Sequence, residues 1–263
     1  MAAAAIGFRG ERPSADLPRF QRGAYAPEVV ERVAASWRKL REDERRSVVG
    51  ASLVAADLAR LGAPTEILGA AARLVDDEIR HVEICSRVLD ALGAPSPEGA
   101  LPDLTDPLCG AQAVEARCAR MLLAGFAVGE PMSAACFAAA RRRAREPLIH
   151  WALTELLRDE ARHGPFGIRA GAWVVRSWTS EQRRALWPEC VDEMERFERA
   201  LGGPMPASTA KQAATSKGED ESRRQLEDLG LLAPGPNCEA AIAGITRLVL
   251  PPLAALGIVH GLT

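Results

Sequence analysis

A five-residue phrase occurs twice in this chain of 263 residues, as Asp77-Glu78-Ile79-Arg80-His81 and as Asp159-Glu160-Ala161-Arg162-His163. The chain has only four histidines, and the phrase uses two of them. Residues i and i+3 are neighbours on a helix, so each Glu-x-x-His sets an oxygen and a nitrogen ligand side by side. Two such helices facing each other would offer two carboxylates and two imidazoles to one centre.

The elements that must carry these residues are helical. Pro27 suits a first helical turn, and from Glu28 to Leu61 only Gly50 interrupts the helix formers. Gly62-Ala63-Pro64 makes a turn, and a second helix runs to about Leu92, where Gly93-Ala94-Pro95-Ser96-Pro97 stops it. The spacing predicts a loop to Pro107, a third helix over about 108–144 and a fourth from Pro147 to about Trp178. Thr179-Ser180-Glu181-Gln182 has the form of a capping box and is expected to open a fifth helix that reaches about Leu201. No segment alternates like a strand, so the fold class is all-α: a four-helix bundle with additional C-terminal helices. The expected organisation is an irregular arm over 1–24, the bundle with its fifth helix over 25–201, a flexible linker over 202–222, and a helical segment over 223–263 that packs back on the bundle.

On the second helix the apolar stripe Ile67, Leu74, Cys85, Leu89 continues in steps of three and four through Glu78 and His81. The fourth helix repeats this, with Ile149, Leu153, Leu156, Glu160 and His163 on one face. Charged groups inside a core are costly unless compensated. A dinuclear centre also needs an oxygen ligand from each remaining helix. Glu44 fills a gap in the stripe Val33, Trp37, Leu40, Val48, Ala51, and Glu130 does so between Phe126 and Phe137. Counted from the turns, Glu44 stands level with Glu78, and Glu130 with Glu160. Glu115 would lie about 22 Å further along the axis. Glu44-x-x-Ser47 answers Glu130-x-x-Ser133, which gives both hydroxyls an outer place beside the cluster. The halves therefore read as a repeat about a pseudo-twofold axis.

This pattern resembles the ferritin-like di-iron carboxylate superfamily, whose signature is a Glu followed some thirty residues later by Asp-Glu-x-x-His, in duplicate. The resemblance covers roughly residues 28–178. It implies that Glu44, Glu78, His81, Glu130, Glu160 and His163 bind two metal ions, two Fe or a Mn/Fe pair, with Glu78 and Glu160 as bridges. It also implies that Asp77 and Asp159 hold the far ring nitrogen of the opposite hairpin's histidine. A hard carboxylate set with two imidazoles suits iron or manganese. The expected activity is O2 activation by an oxidase or oxygenase acting on a small organic substrate, with an electron donor as a further partner. The alternatives are a ferroxidase or iron-storage protein and a helical protein that metal merely stabilises. Rubrerythrins carry a Cys-rich iron site that is missing here. Arylamine N-oxygenases carry a further histidine at the position of Leu156.

The remaining features set bounds. A net charge of −2 gives no footprint for nucleic acid. No run of about 18 uninterrupted apolar residues suggests a membrane span, and the opening MAAAAIGFRGER makes a poor signal peptide. Six cysteines without a C-x-x-C pair fit a reduced, cytoplasmic protein, and a homodimer is compatible with the chain. Pro131 directly follows Glu130 and Gly164-Pro165 directly follows His163, and these prolines predict kinks or π-bulges beside the site. Cys85 and Trp37 read as core, and Tyr25 lies too far from Glu44 to store a radical. Arg80 and Arg162 lie off the stripe, and Arg80 is expected to pair with Asp76 at the surface.

Overall fold

The structure is a computed structural model that describes residues 17–95, 113–201 and 217–259. Every regular element among them is helical. Four long helices form the core: α1 (Pro27–Arg60), α2 (Thr65–Ala91), α3 and α4 (Pro147–Val174). Helix α3 is continuous but changes winding, with α-helix over Val114–Arg120, π-helix over Met121–Gly129, and α-helix again over Glu130–Arg143. The predicted start of this helix near residue 108 lies outside the described residues.

The turns work as their sequences dictate. Gly62 and Gly93 have positive φ of 72° and 68°, which glycine adopts at no steric cost. Each closes a Schellman motif: the Ala63 N–H donates to the Leu58 carbonyl and the Ala94 N–H to the Leu89 carbonyl. Arg22, from the segment before α1, donates to the Leu92 carbonyl at 2.7 Å and so ties that segment to the end of α2. Helix α4 opens with Glu146 as its cap, the side chain accepting from the Ile149 N–H at 3.0 Å.

The fifth helix is divided in two. Thr179 and Gln182 form the expected capping box, but α5 ends at Arg184 and α6 runs over Trp187–Ala200. Pro188 is the cause, because it lacks an N–H and its ring crowds the carbonyl four residues back. Helix α7 spans Lys217–Asp228 and so begins inside the expected linker, of which residues 202–216 lie outside the described part. Helix α8 (Pro234–Gly244) continues through a π segment, Ile245–Val249, into Leu250–Ala255.

The C-terminal segment is built into the bundle. Leu226, Leu229 and Leu232 are buried with Val29, Val33, Ile84 and Leu148, while Ala241, Val249 and Leu253 are buried with Leu58, Leu122 and Met132. Burying a leucine fully is worth about 1.5–3 kcal/mol, so these residues hold the segment firmly. The Asp228 carbonyl also accepts from the backbone N–H groups of Arg145 and Glu146 in the α3–α4 turn.

Two described helices are long and apolar enough to cross a membrane by length and composition alone, Val114–Arg143 and Gly235–Ala255. The first is α3, whose most apolar stretch is 56% buried among the other helices, whereas only 22% of the second is buried. The apolarity of α3 is accounted for by its central place. That of α8 is not.

The hydrophobic core falls into two clusters. One holds Ala51, Val54, Leu58, Leu74, Leu122 and Val174, and the other holds Val33, Trp37, Cys85, Leu89, Ile149 and Leu156. Between them every long helix contributes carboxylate or imidazole where the stripes would supply leucine. That polar layer is the site.

Candidate metal centre

Glu44, Glu78, His81, Glu160 and His163 are all buried, and Glu130 is nearly so, with 16% of its side chain exposed. The structure brings all six together. His81 Nδ1 stands 3.4 Å from Glu44 Oε2, 3.7 Å from Glu78 Oε2 and 3.7 Å from Glu160 Oε1. His163 Nδ1 stands 3.3 Å from Glu78 Oε1, 3.4 Å from Glu160 Oε2 and 3.8 Å from Glu130 Oε2. Glu78 and Glu160 thus face both imidazoles, while Glu44 and Glu130 each face one. The two rings lie with centroids 5.4 Å apart.

The far ring nitrogens are crossed between hairpins. His163 Nε2 is 3.4 Å from Asp77 Oδ2, and His81 Nε2 is 3.5 Å from Asp159 Oδ2. With Nε2–H turned toward an aspartate, each ring turns its Nδ1 to the interior, where it can ligate a metal once its proton is displaced. Ser47 and Ser133 are half-buried, and no hydrogen bond joins either to the cluster among the described residues. Both prolines lie where the chain passes the site. The π segment runs directly into Glu130-Pro131, whose ring has no N–H to offer the carbonyl four residues back. Pro165 sits inside an uninterrupted α4, without a π segment of its own.

The aspartates are themselves held, and here the expectation for the arginines fails. Arg80 reaches across to α4, pairing with Glu155 and standing 3.0 Å from Asp159 Oδ2. Arg162 donates to Asp77 at 3.0 Å and to Asp159 at 2.7 Å. Arg80 is therefore an outer support of His81 rather than a surface partner of Asp76. The signal was present, since arginine fills the same slot in both phrases and Glu155 lies one turn before Asp159.

Electrostatics show what the cluster attracts. Burial pushes the Glu78 carboxyl up to about 8, against the opposing effect of His81 and with help from Glu130 and Glu44. Burial and the neighbouring Glu130 push Glu160 well above the usual carboxylate range. For His81 burial disfavours the charge, but Asp159, Glu44 and Glu78 overcome it and raise the ring to about 12. Asp77, Glu130 and Glu160 raise His163 in the same way. Despite burial, His81 and Arg162 draw Asp159 down to about 2. The layer demands positive charge, which protons or metal ions can supply.

The donor set fits metal ions. Glu78 Oε1, Glu160 Oε2 and the Nδ1 atoms of His81 and His163 are buried and lack a hydrogen-bond partner among the described residues, and buried polar groups are rarely left so. Their lone pairs converge on common space instead of on one another. Glu44, Glu78 and His81 offer ligand atoms that all lie within 4.8 Å of one another, as do Glu78, Glu130 and His163. The cluster is a buried acidic and histidine group that can bind metal, compatible with a di-iron site. No family profile, curated protein or solved structure matches this chain.

Other residues fall where their types suggest. Cys85 is fully buried, and burial raises its thiol well above the ordinary value, so it behaves as a small apolar group. Trp37 belongs to the apolar cluster beyond Cys85, and Leu156 is fully buried there.

Proposed function

We propose that the chain is a non-haem di-metal oxidoreductase of the ferritin-like type. It holds two iron ions, or a manganese–iron pair, and uses O2 to oxidise or hydroxylate a small organic substrate, with electrons from an external donor. The observation that carries this reading is the duplicated geometry, in which each buried imidazole faces its own Glu and the two shared ones, with an aspartate behind it. When bound, the metal pair supplies redox chemistry with O2 at open coordination positions.

The chain's own residues have distinct parts in this reading. Glu78 and Glu160, each facing both rings, would contribute to holding both ions, and Glu44 and Glu130 would contribute to one each. Asp77 and Asp159 fix the ring orientation and raise the basicity of the ligating nitrogen. The apolar clusters on both sides exclude water from the layer. Iron storage is the competing reading. Against it stands the C-terminal segment: a Cβ on Gly244 would come within 3.1 Å of the Pro131 carbonyl, so α8 closes directly over α3 beside Glu130. A cover over the site suits a shaped pocket better than a mineral path.

The test is to load the metal-free chain anaerobically with excess Fe(II), admit O2, desalt, and count retained iron. About two ions per chain with one fast oxidation phase is the expected result. Tens of ions per chain would make it a storage protein, and tight binding without O2 consumption would make the metal structural.

A further inference from the structure

A groove of about 310 Å³ opens between α2 and α4 on the outer side of Asp77 and His163. Ile67, Leu74 and Phe166 give it apolar walls, and Arg73, Arg162 and Arg169 also line it. Its acidic members are Glu66 and Asp77, and Asp77 is already engaged by Arg162 and His163. Among the described residues neither Arg73 nor Arg169 has an ion pair. Three guanidiniums thus border one small, partly apolar space.

The pseudo-twofold axis explains why the groove exists on this side. Four residues before the aspartate of each phrase stand Glu155 on α4 and Arg73 on α2. Glu155 bridges to Arg80, which keeps only 14% of its side chain exposed. Arg162 is the counterpart of Arg80, but its counterpart of Glu155 is another arginine, and 52% of the Arg162 side chain stays exposed. The Arg73 guanidinium folds back along α2, its Nη1 lying 3.8 Å from where a Cβ on Gly69 would stand. One half of the molecule thus supplies a carboxylate at this place, whereas the other sets Arg73, which has no ion pair among the described residues, on the same groove as Arg162, whose half-exposed guanidinium is held from behind by Asp77 and Asp159.

We propose that this groove binds an amphipathic organic anion, with its carboxylate between Arg73 and Arg162 and its apolar body along Ile67, Leu74 and Phe166. Arginine forks match carboxylates in two parallel, charge-assisted hydrogen bonds. The volume is at the small end for ligand pockets, roughly 300–1,000 Å³, so a medium-chain or single-ring acid fits. The inference goes beyond the metal-centre reading and does not depend on it.

The experiment is calorimetric titration of the full chain with octanoate, octan-1-ol and octylammonium, with metal counted in the same samples. Octanoate is expected to bind one to one, and the alcohol and the amine at least tenfold more weakly. Arg73→Gln should weaken octanoate at least tenfold. Arg73→Glu should give Arg162 the counterpart of the pair that Glu155 makes with Arg80, abolish octanoate binding and leave the melting temperature unchanged or higher. No saturable octanoate binding, octanol binding as tightly as octanoate, or full octanoate binding by Arg73→Glu would each overturn the proposal. Octanoate binding by a chain that takes up no Fe(II) on loading would instead count against the proposed function alone.

Discussion

The α1–α2 hairpin and the α3–α4 hairpin carry the same buried Glu, Asp and His residues, yet they are built differently. In the first, regular α-helix passes the site, Glu44 is 8% exposed, and α2 presents Val82, Cys85 and Leu89 beyond its ligands. In the second, α3 unwinds into nine π-helical residues, Glu130 is 16% exposed, and the corresponding positions of α4 are Gly164, Gly167 and Gly171. The outer supports differ too. Asp159, behind His81, is held by both Arg80 and Arg162, while Asp77, behind His163, has Arg162 alone. Duplication of the cluster thus leaves its surroundings free to diverge, and the half around His163 leaves more of its own glutamate exposed.

The largest effect should come from the residues the halves share. Glu78 and Glu160 face both imidazoles, so Glu78→Ala or Glu160→Ala should lower bound metal at least tenfold by elemental analysis. Glu44→Ala and Glu130→Ala each touch one half and should retain about one ion per chain. If all four variants keep the full complement, the six residues are not the ligands.

The outer aspartates come next. Replacing such a support typically costs about 10–100-fold in metal affinity. Asp159→Asn should approach the upper end, because both Arg80 and Arg162 hold it in place, whereas Asp77→Asn should lie nearer the lower end. Competition with a chromophoric chelator for Co(II) measures both. Equal losses would mean that the arginine asymmetry has no energetic weight.

The gathering of these six candidate ligands and two aspartates was legible in the sequence for a definite reason. A carboxylate in an apolar stripe is a local anomaly, and helical periodicity converts it into a position in space. Arg80 misled because its partners are chosen across the helix interface, where i,i+4 reasoning does not reach. Helix α7 was hidden because Lys217 to Glu221 lacks apolar periodicity and takes its place from Leu226 and Leu229 further on. The split between α5 and α6 is readable at Pro188, whereas the capping box at Thr179 marks only where the first of the two begins. The extent of the π segment had no periodic signature, since Met121–Gly129 is apolar almost throughout.

A smaller effect concerns protons, and its sign can be worked out. In the metal-free chain Glu78 has a pKa near 8 against an ordinary value of 4.5, and His81 near 12 against 6.5. Both groups hold protons in the folded state that the unfolded chain releases at lower pH. Folding stability must therefore fall as pH rises, from about 5 through 8 for Glu78 and above about 6.5 for His81. Thermal scans of the metal-free protein between pH 5 and 8 should show a declining Tm. Metal should replace those protons and flatten the trend, with protons released on binding. A metal-free Tm that rises across this window would contradict the buried, cation-seeking character of the layer.

The finest difference between the halves is steric. A Cβ on Gly167 would come within 2.7 Å of the Ala127 nitrogen and 2.8 Å of the Leu122 carbonyl oxygen, both backbone atoms of the π segment. Backbone cannot swing aside as a long side chain can, so Gly167→Ala must push α3 and α4 apart or rewind the π segment. Overpacking of this kind costs about 1–3 kcal/mol, which is several degrees of Tm for a chain of this size, at about 2–4 °C per kcal/mol. Cys85, its counterpart, faces ordinary α-helix and has room for a side chain, so Cys85→Ala should lose about 1 kcal/mol through the missing sulfur alone. Because Gly167 lies one turn past His163, the same change should weaken metal retention in the second half while Cys85→Ala leaves retention intact. Gly167→Ala with unchanged Tm and unchanged metal would show that the π segment is soft enough to absorb a methyl group, and that the glycines of α4 are not what its close approach requires.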